Sequence, residues 1–150
     1  MPDDPVERLG NTHRRMEQEL AALEVAARAG DRQGLDLGLD FFASAAKRHH
    51  EDEEASLFPR LRGNAELAPL LDALAAEHRE HDAARRQIEE LVRGNAGPGV
   101  IAAGVARFVG ALRAHIERED RELLPAAERV LDPETRELVA SEMRERRRAR

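Results

Sequence analysis

Four long segments of this sequence carry apolar residues with alternating steps of three and four, the spacing that keeps one face of a helix toward a bundle core. Clusters of turn residues near positions 31, 64, 97 and 132 separate the segments. The segments are rich in Ala, Leu, Glu and Arg, a composition typical of helix. Because short turns join antiparallel neighbours, the sequence predicts an all-α fold, an antiparallel up-down four-helix bundle with a short extra C-terminal helix.

Two of the predicted helices begin with a clear capping signal. Asp3 or Asp4 precedes Pro5, and Asp132 precedes Pro133. An aspartate side chain can accept a hydrogen bond from the first turn, and proline is well placed at the first helical position. The basic end of the chain, "RERRRAR", is interpreted as a solvated helix end stabilised by the helix dipole.

The chain has 150 residues, which fits one domain with a real core. We therefore predict a single domain over 1–150, with the bundle at about 5–130 and the C-terminal helix at about 132–148. A formal charge of −6 disfavours non-specific nucleic-acid binding. We see no secretory signal and no run of the roughly 18 apolar residues that a membrane span needs, so the expected compartment is the cytoplasm.

Histidine interrupts all four apolar stripes, and glutamate interrupts two of them. Residues equally far from a short turn meet at the same level of an antiparallel bundle. By this measure, the inward histidines and glutamates of all four helices share one depth. The sequence therefore predicts one buried layer of five imidazoles and two carboxylates, formed by His13, His49, Glu53, His78, His81, His115 and Glu119.

Two segments of this layer share one motif. "HHEDEEASLFP" and "HIEREDRELLP" both have His first, Glu fifth and Pro eleventh, and a His–Glu pair four residues apart lies on one face of a helix. His50 with Glu54 is a competing pair, but His49 aligns with the second motif and continues the apolar stripe. We therefore interpret His50 as an outer or solvent-facing residue.

Buried ionisable groups need a compensating interaction, and a polyvalent cation supplies it. The chain has no cysteine, so nitrogen and oxygen must hold any metal. Imidazole with carboxylate suits iron, manganese, zinc or copper better than calcium or magnesium. Two bridging carboxylates, a bridging oxygen and five histidines would leave one position open on a pair of six-coordinate metals. Such a position can bind dioxygen, peroxide or nitric oxide.

These residues resemble the hemerythrin-like family, also called the HHE cation-binding domain. The resemblance rests on His13, the two motifs above and "EHREH" in the third helix, and it covers about residues 5–130. It implies an antiparallel four-helix bundle around two non-haem iron ions, oxo- or hydroxo-bridged. His13, His49, His78 and His115 match the family's histidine positions, and Glu53 and Glu119 match its bridging carboxylates.

Two positions depart from the oxygen-carrying members of that family. Their third-helix histidines are four apart, whereas His78 and His81 are three apart, so the role of His81 stays open. Their fourth-helix carboxylate is an aspartate five residues after the histidine, so Asp120 competes with Glu119. The expected metal site does not explain the C-terminal helix.

The leading functional hypothesis is a di-iron protein that binds or senses dioxygen or a related small ligand. The first alternative is an enzyme of the same site acting on peroxide or nitric oxide, or an iron-handling protein. A metal-free or zinc-stabilised helical interaction module is the alternative from a different class. The expected partners are a diatomic or peroxide ligand, without nucleic acid or membrane.

Overall fold

Within residues 4–149, which the computed structural model describes, the chain forms helices joined by short turns and no strand. The α-helices are α1 Pro5–Ala29, α2 Arg32–Ala43, α3 Ala45–Glu51, α4 Phe58–Leu61, α5 Ala68–Arg93, α6 Pro98–Arg118, α7 Leu124–Val130 and α8 Pro133–Arg148. Two wider π-helical turns interrupt them, π1 at Asp52–Leu57 and π2 at Glu119–Leu123. The all-α prediction is confirmed, whereas the extent of the single domain stays a prediction.

Both predicted helix starts are confirmed by the capping bonds. The Asp4 side chain accepts from the Val6 amide at 3.3 Å, and the Asp132 side chain accepts from the Thr135 amide at 2.8 Å. The other predicted cap, Asp3, lies outside the described residues. α8 therefore begins where the sequence places it, directly after its Asp–Pro signal.

The two π turns coincide with the two sequence motifs, and the motif prolines explain them. Proline has no amide hydrogen, and in a regular helix its ring collides with the carbonyl four residues earlier. In π1 the amide of Phe58 bonds to the carbonyl of Glu53, five residues back. In π2 the amide of Leu124 bonds to the carbonyl of Glu119 in the same way. Each glutamate of the motif therefore lies at a widened turn, a feature that is frequent at functional sites.

Two apolar clusters lie on either side of the predicted histidine layer. One contains Met16, Leu20, Phe42, Phe108 and Leu112, and the other contains residues of α1, π1, α5, π2 and α8, including Leu9, Leu57, Leu74, Leu123 and Met143. Ionisable residues between two close-packed clusters are shielded from water. The fold thus places the layer inside the protein and uses α8 to close one end.

One helical stretch, Pro98–Val130, is long and apolar enough to cross a membrane by length and composition alone. Core helices of globular proteins meet the same criterion. The sequence predicts no membrane-spanning run, but length and composition do not decide between a core helix and a membrane span. His115 and Glu119 of the buried layer belong to this stretch, and the absence of a membrane partner stays a prediction.

Candidate metal centre

The structure buries every side chain of the predicted layer. None of the seven exceeds 7% exposure, and both glutamates are fully buried at 0%. They come from α1, α3, π1, α5, α6 and π2, so all four long parts of the chain contribute. The members are His13, His49, Glu53, His78, His81, His115 and Glu119. Their burial agrees with the predicted layer, and their role as metal ligands stays a prediction.

Glu53 presents one carboxylate oxygen to each side of the cluster. Its Oε2 lies 3.1 Å from Nε2 of His49 and 3.8 Å from Nε2 of His13. Its Oε1 lies 3.0 Å from Nε2 of His78. The same carboxylate therefore faces histidines of the first half of the chain with one oxygen and a histidine of the second half with the other.

Glu119 repeats this arrangement from the opposite wall. Its Oε1 lies 2.8 Å from Nε2 of His13, and its Oε2 lies 3.0 Å from Nε2 of His115 and 3.7 Å from Nε2 of His78. Two histidine pairs result, His13 with His49 and His78 with His115. Each pair faces two carboxylate oxygens, one from each glutamate.

The ligand atoms converge closely enough for a metal at each pair. In each of two groups the donor atoms lie within 4.8 Å of one another. The groups share both glutamates and are His13, His49, Glu53 and Glu119, and Glu53, His78, His115 and Glu119. Among the described residues, none of the four glutamate oxygens has a hydrogen-bond partner. Buried oxygens directed at imidazole nitrogens without hydrogen bonding fit shared cations.

The Nε2 atoms of His13 and His49 lie 3.1 Å apart, and this contact supports the same interpretation. A neutral imidazole that donates from Nδ1 carries a lone pair on Nε2. Nδ1 of His13 lies 2.6 Å from a carboxylate, so Nε2 carries the lone pair once the ring is neutral. Two nitrogens that face each other beside two carboxylates suit one cation between them.

Three acids at the edge of the cluster orient its imidazoles. Each accepts a hydrogen bond from Nδ1: Asp120 from His13 at 2.6 Å, Glu54 from His78 at 2.5 Å, and Glu77 from His115 at 2.6 Å. Such carboxylates fix the tautomer and direct Nε2 at a metal. Asp120 is half exposed on the outer side of His13, whereas Glu119 faces both pairs, so the geometry favours Glu119 as the inner carboxylate.

His50 is interpreted from the sequence as an outer or solvent-facing residue, and the structure places its ring away from solvent. It is only half-buried as a residue, but its Nε2 is buried without a hydrogen-bond partner among the described residues. Its donor lies within 4.8 Å of those of His78 and His115, and its ring stacks on His78 with centroids 3.9 Å apart. The structure therefore places His50 beside the second histidine pair.

His81 is buried as predicted but stands apart from the donor groups. Its ring meets His115 edge-on, with centroids 5.0 Å apart, and its Nδ1 has no hydrogen-bond partner within the described part of the chain. No group of three or more close donor atoms found there includes it. Of the two histidines that flank the second pair, the geometry favours His50 as a ligand.

The carboxylates in and around the cluster raise the pKa of three of its imidazoles, those of His13, His78 and His115. Burial alone would lower the pKa of His13, but Asp120, Glu119 and Glu53 outweigh it and raise that pKa to about 11. Burial opposes protonation of His78 as well, and there Glu119 and Glu53 help to raise the pKa to about 11. Without metal, the imidazoles of His13 and His78 hold protons at neutral pH, and a metal must displace them.

The flanking histidines behave in the opposite way. Burial, followed by the charges of His115 and His78, lowers the pKa of His81 to about 4. Burial and the charges of His78 and His49 hold the pKa of His50 well below its ordinary value. Both side chains are therefore neutral at pH 7, and the unpartnered Nε2 of His50 is available to a metal without loss of a proton.

Both shared glutamates are carboxylates at neutral pH. Burial would raise the pKa of Glu53, but the charge of His49 and the close imidazole nitrogens of His13, His49 and His78 hold it well below its ordinary value. The pKa of Glu119 is also lowered, because its histidine partners outweigh the effects of burial and of the Glu53 charge. Two negative charges are thus available to bind a metal cation.

A cleft of about 530 Å³ reaches the cluster from one side. It lies between the α2–π1 part of the chain and α5, and His50, His78 and His81 line it. Phe42, Phe108 and Leu112 give it an apolar wall. The second histidine pair is therefore the one next to an opening that a small molecule can enter.

A comparison with known proteins finds a family match over most of the chain. Residues 4–127 match the sequence profile of the family described as "Hemerythrin HHE cation binding domain". Among curated proteins, no match was found. The matched region includes all seven predicted layer residues and His50, and it stops before α8. The chain therefore belongs to the hemerythrin HHE cation-binding domain family.

Proposed function

We propose that this protein holds two non-haem iron ions and binds or senses dioxygen or a related small ligand. One observation carries the proposal: Glu53 and Glu119 each direct one oxygen to the first histidine pair and the other oxygen to the second. A single ion would need only one of these pairs. Shared carboxylates between facing helices suit two ions held side by side.

The residues divide into two sets of ligands. His13 and His49, with one oxygen of each glutamate, would hold the first ion. His78 and His115, with the other two oxygens and His50, would hold the second. Donors of this kind, without thiolate, suit iron. Bound iron would supply reversible electron transfer to a small ligand, while the protein orients the imidazoles through three outer acids and keeps bulk water from the carboxylates.

We also propose that the long parts of the chain pack as the antiparallel up-down bundle expected from the sequence. Two contacts support opposite directions for α1 and the part of the chain that follows it. Leu23, late in α1, lies next to Gly38, while His13, earlier in α1, meets His49. Residue numbers therefore rise along α1 in the direction in which they fall along the following part of the chain. The two run antiparallel.

The cleft beside His50 gives the exogenous ligand a route to the second set of ligands. Its volume of about 530 Å³ exceeds what a diatomic molecule needs and lies in the range of small-molecule sites. The same open route also suits a second candidate function of this site, turnover of a peroxide. Steady consumption of hydrogen peroxide would distinguish the enzyme from a carrier or sensor.

The test is iron content and the visible spectrum after iron-replete expression of the full chain. We expect two irons per chain and, on exposure of the anaerobically reduced protein to air, a charge-transfer band that reverses when oxygen is removed. His49→Ala with Glu53→Ala should lose both. Irreversible oxidation would favour peroxide or nitric oxide chemistry. Absence of iron would contradict the di-iron proposal and favour an interaction module.

The two flanking histidines give a matched test of the second set of ligands. His50→Ala should weaken iron binding at one site by more than about tenfold, the lower end of what loss of an outer orienting partner costs. His81→Ala removes the same chemical group and should leave both sites filled. Iron titrations of the two variants measure this. The reverse result would make His81 the ligand.

A further inference from the structure

The basic end of α8 contacts the metal-centre region, contrary to its interpretation as a solvated helix end. Arg146 donates to Oδ1 of Asp52 at 2.5 Å. Arg147 donates to both carboxylate oxygens of Asp52, at 3.1 and 2.7 Å. Asp52 is 1% exposed and directly precedes Glu53 in π1. Two guanidinium groups from one end of the chain therefore bind a buried carboxylate beside a shared glutamate.

Four further hydrogen bonds extend this contact along the whole π turn. Arg146 also donates to the hydroxyl of Ser56 at 2.8 Å. Arg60, just beyond the turn, donates to both oxygens of Glu142 in α8, at 2.9 and 2.7 Å. The same Arg60 donates to the carbonyl of Ser56 at 2.9 Å. α8 thus binds both the start and the end of π1.

These bonds have a physical role that apolar packing of α8 does not fill. A buried carboxylate without a partner costs several kcal/mol, so Asp52 requires its arginines. Bidentate bonds from guanidinium fix the direction of a carboxylate as well as its charge. A π turn has an irregular backbone, and bonds at both ends restrict how far it can shift. Val139 and Met143 attach α8 to the core, whereas the arginines bind the turn itself.

We propose that Arg146 and Arg147 are positioning residues, which hold π1 through Asp52 and thereby keep Glu53 directed at both histidine pairs. This inference rests on the proposed di-iron function. It also gives a role to α8, which lies beyond the region matched by the family. The second π turn uses a different arrangement, because Arg118, which occupies the position equivalent to Asp52, pairs with Glu77.

The test compares Arg146→Gln/Arg147→Gln with Arg148→Gln in the full chain. Arg148 lies on the same helix, is exposed and, within residues 4–149, pairs locally with Glu145, so its variant controls for loss of an arginine charge at this end of α8. We expect the double variant to bind ferrous iron about 10–100-fold more weakly, the usual cost of losing an outer partner of a metal ligand. The control should bind as the wild type does.

A second readout needs no metal. Hydrogen exchange of the metal-free proteins, followed by mass spectrometry of the peptide that contains residues 52–58, reports local opening of π1. We expect at least about tenfold faster exchange there in the double variant and no change in the control. A purely structural role of α8 would instead raise exchange in the core helices as well, and would leave iron affinity unchanged once the protein is folded.

Loss of both arginines leaves Asp52 buried and unpaired, so the double variant can fail to fold. Asp52→Asn with Arg146→Gln and Arg147→Gln removes the charge on both sides and should fold while retaining the weak iron binding. Arg146→Lys/Arg147→Lys should recover part of the affinity. Wild-type affinity in the triple variant would overturn this inference alone. Failure of the wild type to bind iron would overturn the proposed function and this inference with it.

Discussion

Replacing both shared glutamates, Glu53→Ala together with Glu119→Ala, is expected to remove both iron ions from the chain. Each glutamate supplies one oxygen to each histidine pair, so the double variant leaves each pair without its anionic ligands. The remaining neutral imidazoles would have to balance the charge of two cations inside the protein, which is unfavourable. Metal analysis of protein purified after iron-replete expression measures the loss.

Glu54→Ala is the matched control, since it removes the acid next to Glu53. Glu54 is 40% exposed and contacts Nδ1 of His78 at 2.5 Å, so it orients a ligand without facing the cluster. Both ions should remain, with affinity at one site lowered about 10–100-fold. Retention of two irons by the double variant would show that the histidines alone hold the metal and would refute the bridging role.

The sequence predicts the layer well because helical periodicity is a local property. Apolar steps of three and four residues identify the inward face, and five histidines on that face are buried in the structure. Distance from the turns then predicts depth, which is why His13 and His49 meet. The pairing of each glutamate with a histidine four residues earlier follows from the same geometry.

Three features of the site depend on information that periodicity does not contain. His50 lies next to the inward face, and whether its long side chain reaches the cluster depends on the gap between neighbouring helices. The π turns follow from the motif prolines, whose effect on the backbone does not show in the spacing of apolar residues. The contact between Arg146 and Asp52 joins distant parts of the chain, so the local composition of "RERRRAR" favours a solvated end instead.

Metal binding is expected to raise the unfolding temperature more than any single substitution changes it. A ligand at about a thousandfold excess over its Kd stabilises the folded state by about 4 kcal/mol per site, hence by about 8 kcal/mol for two sites. For a chain of this size each kcal/mol corresponds to roughly 2–4 °C. Anaerobic ferrous iron should therefore raise Tm by about 15–30 °C. Calorimetry of the metal-free protein with and without iron checks this.

The Glu53→Ala/Glu119→Ala protein is the control for this measurement, because iron should leave its Tm unchanged. A large shift in that variant would locate the stabilising ions elsewhere. A chelator added to the loaded wild type should return Tm to the metal-free value, since ligand linkage is reversible. If loaded and metal-free wild type unfold at the same temperature, the cluster binds no metal tightly.

The metal-free and loaded proteins should respond to pH with opposite signs. The pKa values of His13 and His78 are raised from 6.5 to about 11, so their protonation stabilises the metal-free fold below pH 6.5, and this contribution is lost as the pH rises toward 11. Because the pKa values of Glu53 and Glu119 are lowered, their charged carboxylates stabilise the fold above about pH 4.5. This contribution is lost on further acidification. The metal-free cluster is therefore most stabilising between these limits.

Metal binding reverses the upper part of this dependence, because iron must displace the protons on those two imidazoles. Between pH 6.5 and 8 the metal-free protein should lose stability while iron affinity rises by about tenfold per pH unit for each proton released. The iron-induced shift in Tm must then grow with pH. Titrations in buffers of different ionisation enthalpy count the protons directly. A shift that shrinks with rising pH would mean that iron binds without displacing protons from His13 and His78, and so at other residues.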